Sequence, residues 1–323
     1  VNEDEAPPDR PPGPISDYLS RVERERAELR NEQREQLSRE GAVDIDEAFR
    51  LSHLGEVLAK LDRDLVGLGA VKTRIREIAH VLLANSMRGK VGLVAERPNL
   101  HMSFTGRPGT GKTTVALRMA EILYRLGYVR KGHLVSANRD DLVSQYAGHS
   151  DLKTREVIKR AMGGVLFIDD AYELYKVEGD FGAESLDALL RVMADNHEDI
   201  AVIFSGDAER MARFFQSGLG TRVAHHVDFQ DYSLDELLAI AHTMLDRLNY
   251  EFTPSGERAF REYLSLRLQQ PQFANARSVR NAIDRARLRQ ATRLFGQKAT
   301  LKPHDLRLID ESDIRQSWVF LKA

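Results

Sequence analysis

Gly106-Arg107-Pro108-Gly109-Thr110-Gly111-Lys112-Thr113 is the stretch of this chain best suited to chemistry. It fits G-x-x-x-x-G-K-[ST], in which glycines let backbone N–H groups turn inward on phosphate oxygens. A helix opening at Lys112 adds the positive end of its dipole. Lys112 can reach the β- and γ-phosphates of a nucleoside triphosphate, and the Thr113 hydroxyl can hold Mg2+. The candidate nucleotide-binding residues here are Pro108, Gly109, Thr110, Gly111, Lys112, Thr113 and Thr114.

A second constellation is Val165-Leu166-Phe167-Ile168-Asp169-Asp170. Four apolar residues make a buried strand that delivers acids to its carboxyl end, where α/β sheets bind ligands. Asp169 would orient the magnesium shell, partly through water, and Asp170 would position an attacking water. His225-His226 could suggest a metal. Neighbouring strand residues face opposite ways, however, and no third ligand is evident, so packing or surface placement is the better reading. The absence of cysteine excludes disulfides, thiolate zinc sites and cysteine nucleophiles.

These groups need elements to hold them in place. The segments NLHMSFTG, HLVSAN, GGVLFIDDA and DIAVIFSGD are short apolar runs with the character of buried strands. Helical patterns such as TVALRMAEILYRLG lie between them. Alternation of this kind predicts a parallel sheet covered by helices on both faces. Leu51 to Ala95 is helical in pattern, with a break at Gly67 and Gly69. After Phe229 the strand patterns stop. Ser233 and Glu236 form a capping box, and Thr253-Pro254 opens another helix. Further helices are expected over Ala276–Phe295 and Glu311–Leu321. The expected organisation is a charged arm (1–50), an α/β nucleotide-binding domain (51–229) and a small all-helical lid (230–323).

Residues 1–14 hold five of the ten prolines and four acids, and 13 of the 24 residues from Asp17 to Glu40 are charged. That composition suits an extended arm followed by a solvated surface helix. The 323 residues are 42% hydrophobic, enough for a core, and carry a net charge of −2. A near-neutral balance argues against a polyanion as the main partner. Arg277 to Arg293 holds six arginines and one acid, which suits a solvated or interfacial helix face better than a nucleic-acid face. No apolar run approaches the ~18 residues of a membrane span. The first residue is Val1, with no basic-then-apolar leader after it; a processed chain that has shed an organelle transit peptide would fit.

The order of these elements and the helical tail resemble the AAA+ ATPases. More specifically, LDRDLVGLGAVKTRIRE, HMSFTGRPGTGKTTVALRMA, RLGYVRKGHLVS, KRAMGGVLFIDDAYELY and FANARSVRNAIDRARLRQATRLF resemble the red-type Rubisco activase (CbbX) family. The likeness covers residues 58–295, weakly continues to Phe320, and leaves out residues 1–50. It implies a ring-forming motor, usually of six subunits, that uses ATP and Mg2+ to pull on the Rubisco large subunit. The pull opens a site blocked by a tight-binding sugar phosphate. Ribulose bisphosphate would act as an effector, and the setting would be the plastid stroma or, alternatively, a bacterial cytoplasm.

Carried over residue by residue, the resemblance puts Leu65-Val66-Gly67-Leu68 against the adenine, with Val66 and Gly67 as nucleotide contacts. It makes Tyr146, Ala147 and Gly148 part of the first pore loop, with Tyr146 gripping an extended peptide. Arg277 becomes the second sensor, with Arg280 as the alternative. Three departures stand out. Asp170 replaces the family's glutamate. Of two family arginines between Phe214 and His226, only Arg222 remains as a catalytic candidate, and the missing one would be the arginine finger that reaches the neighbouring subunit's ATP. Asp207 stands where the family has an aromatic residue, close to the first sensor near Ser205. The expectation is an active ATPase or, alternatively, a subunit with little hydrolysis of its own in a mixed ring with a complete paralogue, such as a divergent nuclear-encoded plastid isoform. A nucleic-acid ATPase using the arginine-rich helix is the third reading.

Overall fold

A computed structural model describes residues 44–90, 93, 95, 98–146, 148–175, 182–195, 200–216, 219–297 and 300–321. Most of the charged arm, residues 1–43, lies outside them, as does Ala147.

The described chain opens with three helices: α1 (Ile45–Leu51), α2 (Leu54–Asp64) and α3 (Gly69–Lys90). The first starts inside the segment read as an arm, because the Asp44 carboxylate caps it by accepting from the Asp46 and Glu47 amides. In α2, Leu54, Val57, Leu58 and Leu61 follow an i, i+3, i+4, i+7 stripe and all are buried. Gly67 separates α2 from α3, whereas Gly69 is the first residue of α3 rather than part of the break.

The α/β portion follows as β1 (Met102–Gly106), α4 (Lys112–Arg125), β2 (Leu134–Ala137), α5 (Arg139–Leu142), α6 (Ser150–Ala161), β3 (Val165–Ile168), α7 (Gly182–Asp195), β4 (Ala201–Gly206), α8 (Ala208–Phe215) and β5 (His225–Phe229). The five strands form one parallel sheet in the order β2-β3-β4-β1-β5. Alternate residues of the inner strands feed two cores. Val165, Phe167, Ala201 and Ile203 join one on the α2–α4 side. Leu166, Ile168, Val202 and Phe204 join the other, with α6 to α8. Burial on both faces explains why these strands are unbroken apolar runs.

The remaining elements are α9 (Leu234–Asp246), β6 (Glu251–Phe252), α10 (Pro254–Leu268), α11 (Asn275–Gln297), β7 (Leu308–Ile309) and α12 (Glu311–Arg315). The Ser233–Glu236 capping box and the Thr253 cap with Pro254 behind it form as the sequence predicts. Two details differ. The strands do not stop entirely at Phe229, because β6 and β7 pair in parallel over two residues each. The helix expected over 311–321 divides into α12 and a 3-10 turn at Trp318–Leu321. Inside this helical unit Arg293 forks onto Asp313, both contacts at 2.9 Å, and Asp313 is fully buried. That pair ties the segment after β7 to α11.

Candidate active site

Parallel strands bring their carboxyl ends to one edge, and the chemistry-bearing residues collect there. β1 ends at Gly106 and the phosphate loop runs to α4, whose cap Gly111 has φ +98°. Gly106 and Gly109 are also in the left-handed region. Gly109 has a second reason to lack a side chain: a Cβ there would stand 2.1 Å from the Ala274 carbonyl oxygen. The loop is thus pressed against the start of α11.

A cavity of about 620 Å3 lies over the loop. Pro108, Gly109, Gly111, Lys112, Thr113 and Thr114 line it from one side, Asp169, Asp170 and Asp207 from another, and Arg277 and Arg280 from α11. Thr110 is buried and turns inward, its hydroxyl donating to the Arg107 carbonyl at 2.8 Å. A smaller space of about 150 Å3, lined by Leu65, Val66, Tyr232 and Met244 among others, shares Gly109, Gly111 and Thr114 with the first. A flat apolar base with its phosphates would be accommodated by two such connected spaces. Gly67 lines neither space; it packs on Glu236, whose carboxylate leaves no room for a Cβ.

Lys112 donates to the carbonyls of Gly106 at 2.7 Å and Arg107 at 2.9 Å. Burial lowers the ammonium's pKa, and Asp169 and Asp170 oppose that shift. A buried cation inside a ring of carbonyls and amides is a ready partner for an anion. Across the cavity, Asp169 Oδ1 accepts from Ser205 Oγ at 3.1 Å and from the Asp170 amide at 3.2 Å. Ser205 is the penultimate residue of β4, the strand between β3 and β1, so it lies between the acid pair and the phosphate loop. The hard oxygens of Thr113 and Asp169 suit Mg2+, which keeps several waters and needs few protein ligands. Burial, then the neighbouring Asp169 charge, raises the Asp170 pKa.

Asp207 lines the cavity and caps α8, its carboxylate accepting from the Arg210 amide at 3.4 Å. That cap gives the acid a structural role of its own. Arg222 is exposed and precedes β5, at the opposite edge of the sheet from the phosphate loop; Asn99 Nδ2 donates to its carbonyl at 2.8 Å. The structure therefore does not bring Arg222 to this chain's own cavity. Tyr146 is 72% exposed, edge-on to the His149 ring, and the Gly148 amide donates to Glu184. Neither residue lines the cavity. His225 is half-buried, with its pKa lowered chiefly by burial, while His226 packs edge-on to Phe215. Among the described residues no group of three His, Asp or Glu side chains could hold a metal ion.

Sequence reading missed Asn275 and Tyr232. Asn275 is fully buried at φ +45°. It accepts from the Tyr232 amide at 3.1 Å and donates to Asp231 Oδ1 at 2.8 Å and, at the long limit of 3.5 Å, to the Pro108 carbonyl. Tyr232 Oη donates to the Thr110 carbonyl, and the Ala276 amide to the Gly109 carbonyl. The helical unit is thus fastened to the phosphate loop itself. Asn275 could have been suspected from Ala-Asn-Ala-Arg, since asparagine is among the few residues that tolerate the left-handed region.

Residues 102–230 match the ATPase family associated with various cellular activities (AAA), and residues 233–320 match the AAA lid domain. Protein CbbX of Cereibacter sphaeroides is 58% identical over 286 residues, covering 86% of this chain and 92% of that protein. The chloroplastic ribulose bisphosphate carboxylase/oxygenase activase of Cyanidioschyzon merolae is 54% identical over 285 residues, covering 86% of this chain and 97% of that protein. Among solved structures, the FIGL-1 AAA domain in complex with ADP superposes with a TM-score of 0.55 at 20% identity, covering 78% of this chain and 81% of that one, a likeness of fold.

Proposed function

The chain belongs to the AAA ATPase family of CbbX and the Rubisco activases, and from that membership we propose that it is an ATP-driven motor subunit that remodels inhibited Rubisco. The observation that carries the reading is the fastening of the lid to the phosphate loop through Asn275, Tyr232 and Ala276. A γ-phosphate held at Lys112 presses on a loop whose carbonyls are bonded to the lid, so its loss is felt at once by α11. Arg277 and Arg280 give the lid its own cations at the same cavity.

In this reading Lys112 and the loop amides bind and orient the triphosphate, and Asp169 and Thr113 hold Mg2+, which neutralises developing phosphate charge when bound. Asp170 orients the attacking water. Six subunits form a ring, Arg222 is the retained arginine of the catalytic set, and Tyr146 with Ala147 and Gly148 grips the Rubisco large subunit in the pore. A flat ring contacts a peptide without demanding a sequence, and its 72% exposure leaves Tyr146 free to do so. Ribulose bisphosphate serves as effector, and the setting is the plastid stroma or a bacterial cytoplasm.

A second reading has this chain as a weakly hydrolysing subunit beside a complete paralogue. It is favoured by the short acid at Asp170 and by Arg222 standing alone where the family carries two arginines. Misplacing a reacting group by ~1 Å can cost on the order of 10²-fold, and an arginine finger is worth roughly 10³–10⁵.

Calorimetry and turnover test both. Lys112→Ala should abolish ATP association measurable at millimolar ligand; unchanged affinity would remove the loop from the mechanism. Turnover by the purified chain at about 1–10 per second, typical of enzymes, would reject the weak-subunit reading. Slow turnover that stays slow with a paralogue added would reject the mixed ring.

A further inference from the structure

Tyr172 lies two residues past Asp170, in a single 3-10 turn spanning Ala171–Leu174. Its ring is seated on the end of β4, where a Cβ on Gly206 would stand 2.8 Å from Tyr172 Cδ1. The hydroxyl accepts from Arg210 Nη1 at 3.2 Å, and Tyr172 faces the same cavity as Asp170 and works against the rise that burial gives the Asp170 pKa. The Arg210 guanidinium carbon is also 5.0 Å from the centre of the Tyr172 ring. All three side chains line the cavity that holds Lys112. A phenol can accept one hydrogen bond and donate another, and a guanidinium can only donate, so the Tyr172 proton stays available to a carboxylate on the cavity side. The Asp170 backbone sits at φ +48°, in the left-handed region that aspartate tolerates better than most non-glycine residues.

We propose that Tyr172, backed by Arg210, is a positioning residue for Asp170 in ATP hydrolysis. One hydrogen bond occupies part of a carboxylate's capacity of about four acceptor sites. The rest is left for the attacking water, at a place fixed by the sheet rather than by a mobile side chain. Aspartate suits such a tether, since it has one fewer rotatable bond than glutamate. The inference rests on the reading of Asp170 as the water-orienting acid.

Tyr172→Phe keeps the ring on Gly206 and removes only the hydroxyl. Turnover should fall roughly tenfold, less than the 10² that ~1 Å of misplacement can cost, while the KM for ATP and the calorimetric affinity for ADP change by less than about twofold. In an Asp170→Asn background the same substitution should have no further effect, whereas a merely structural role would persist there. A readout free of turnover is the affinity for ADP with aluminium fluoride, which mimics the transferring phosphoryl group. Tyr172→Phe should weaken it roughly tenfold with ADP unaffected. Undiminished turnover or analogue affinity in Tyr172→Phe would overturn the proposal. So would a full additive loss on top of Asp170→Asn, or an unaltered protein that binds the analogue no better than ADP. Failure of every protein to bind ADP would instead sink the nucleotide reading, and this proposal with it.

Discussion

Replacing Asn275 by alanine cuts the fastening between lid and phosphate loop at its buried centre. The loss can be worked from the contacts. The hydrogen bond to the charged Asp231, at 2.8 Å, contributes about 1.5–3 kcal/mol. Its low end applies, because Asp231 keeps an ion pair with Arg107 at 3.2 Å. Leaving the buried Tyr232 amide without its acceptor costs about 1–3 kcal/mol. Alanine at φ +45° adds about 1 kcal/mol of backbone strain. The Pro108 contact, at 3.5 Å, adds little. The sum is about 4 kcal/mol. Urea denaturation followed by circular dichroism measures it, and Asn275→Gly separates its parts, since glycine relieves the strain but restores neither hydrogen bond. Asn275→Gly should recover about 1 kcal/mol of the loss. ADP affinity should fall in both variants, because the loop loses a support. A loss below ~1 kcal/mol for Asn275→Ala, or a glycine variant restored to full stability, would refute the reasoning.

Three further outcomes follow from other contacts. Burial pushes the Tyr232 phenol up to about 12 from its usual 10, so above pH ~10 the unfolded chain releases a proton that the folded one keeps. Stability should therefore fall as pH rises from about 10 to 12, by roughly 2.7 kcal/mol at most, and Tyr232→Phe should lose that component in denaturation midpoints across the window. Tyr146→Ala should leave ATP affinity unchanged and impair Rubisco reactivation; unimpaired reactivation would place the grip elsewhere. Asp313→Ala strands Arg293, which is 25% exposed against a fully buried partner, and should cost about 3–5 kcal/mol of lid stability. A shift under ~1 kcal/mol in thermal or urea unfolding would show that solvent reaches Arg293 freely.

The sheet and the phosphate loop were legible because their signals are local. β3 and β4 are apolar runs buried on both sides, and the loop's glycines, lysine and threonine are adjacent in sequence. Caps such as Ser233–Glu236 and Thr253–Pro254 are equally local. What escaped depends on residues far apart. β6 and β7 are two residues each, too short for any alternation, and are paired only by the fold. Asn275 owes its importance to Pro108 and Asp231, 167 and 44 residues away. Tyr172 is two positions beyond a recognised acid pair, yet only Arg210 and Gly206 show why its hydroxyl is aimed. Arg222 was singled out by resemblance, and strand direction separates it from its own chain's cavity.

The register of the sheet also bears on how the molecule comes into being. β1 lies between partners made long after it: Met102 pairs with Ile203 on one side and His225 on the other. A nascent chain that has emerged only as far as β3 holds the complete phosphate-binding motif but has neither flanking strand to support it. Such distant pairings form slowly, because loop-closure entropy is spent before any contact rewards it. Nucleotide in the surrounding solution can therefore rescue folding only late in synthesis, once Phe229 is free to align. Until then, the unpaired backbone edges of β1 need protection from other chains.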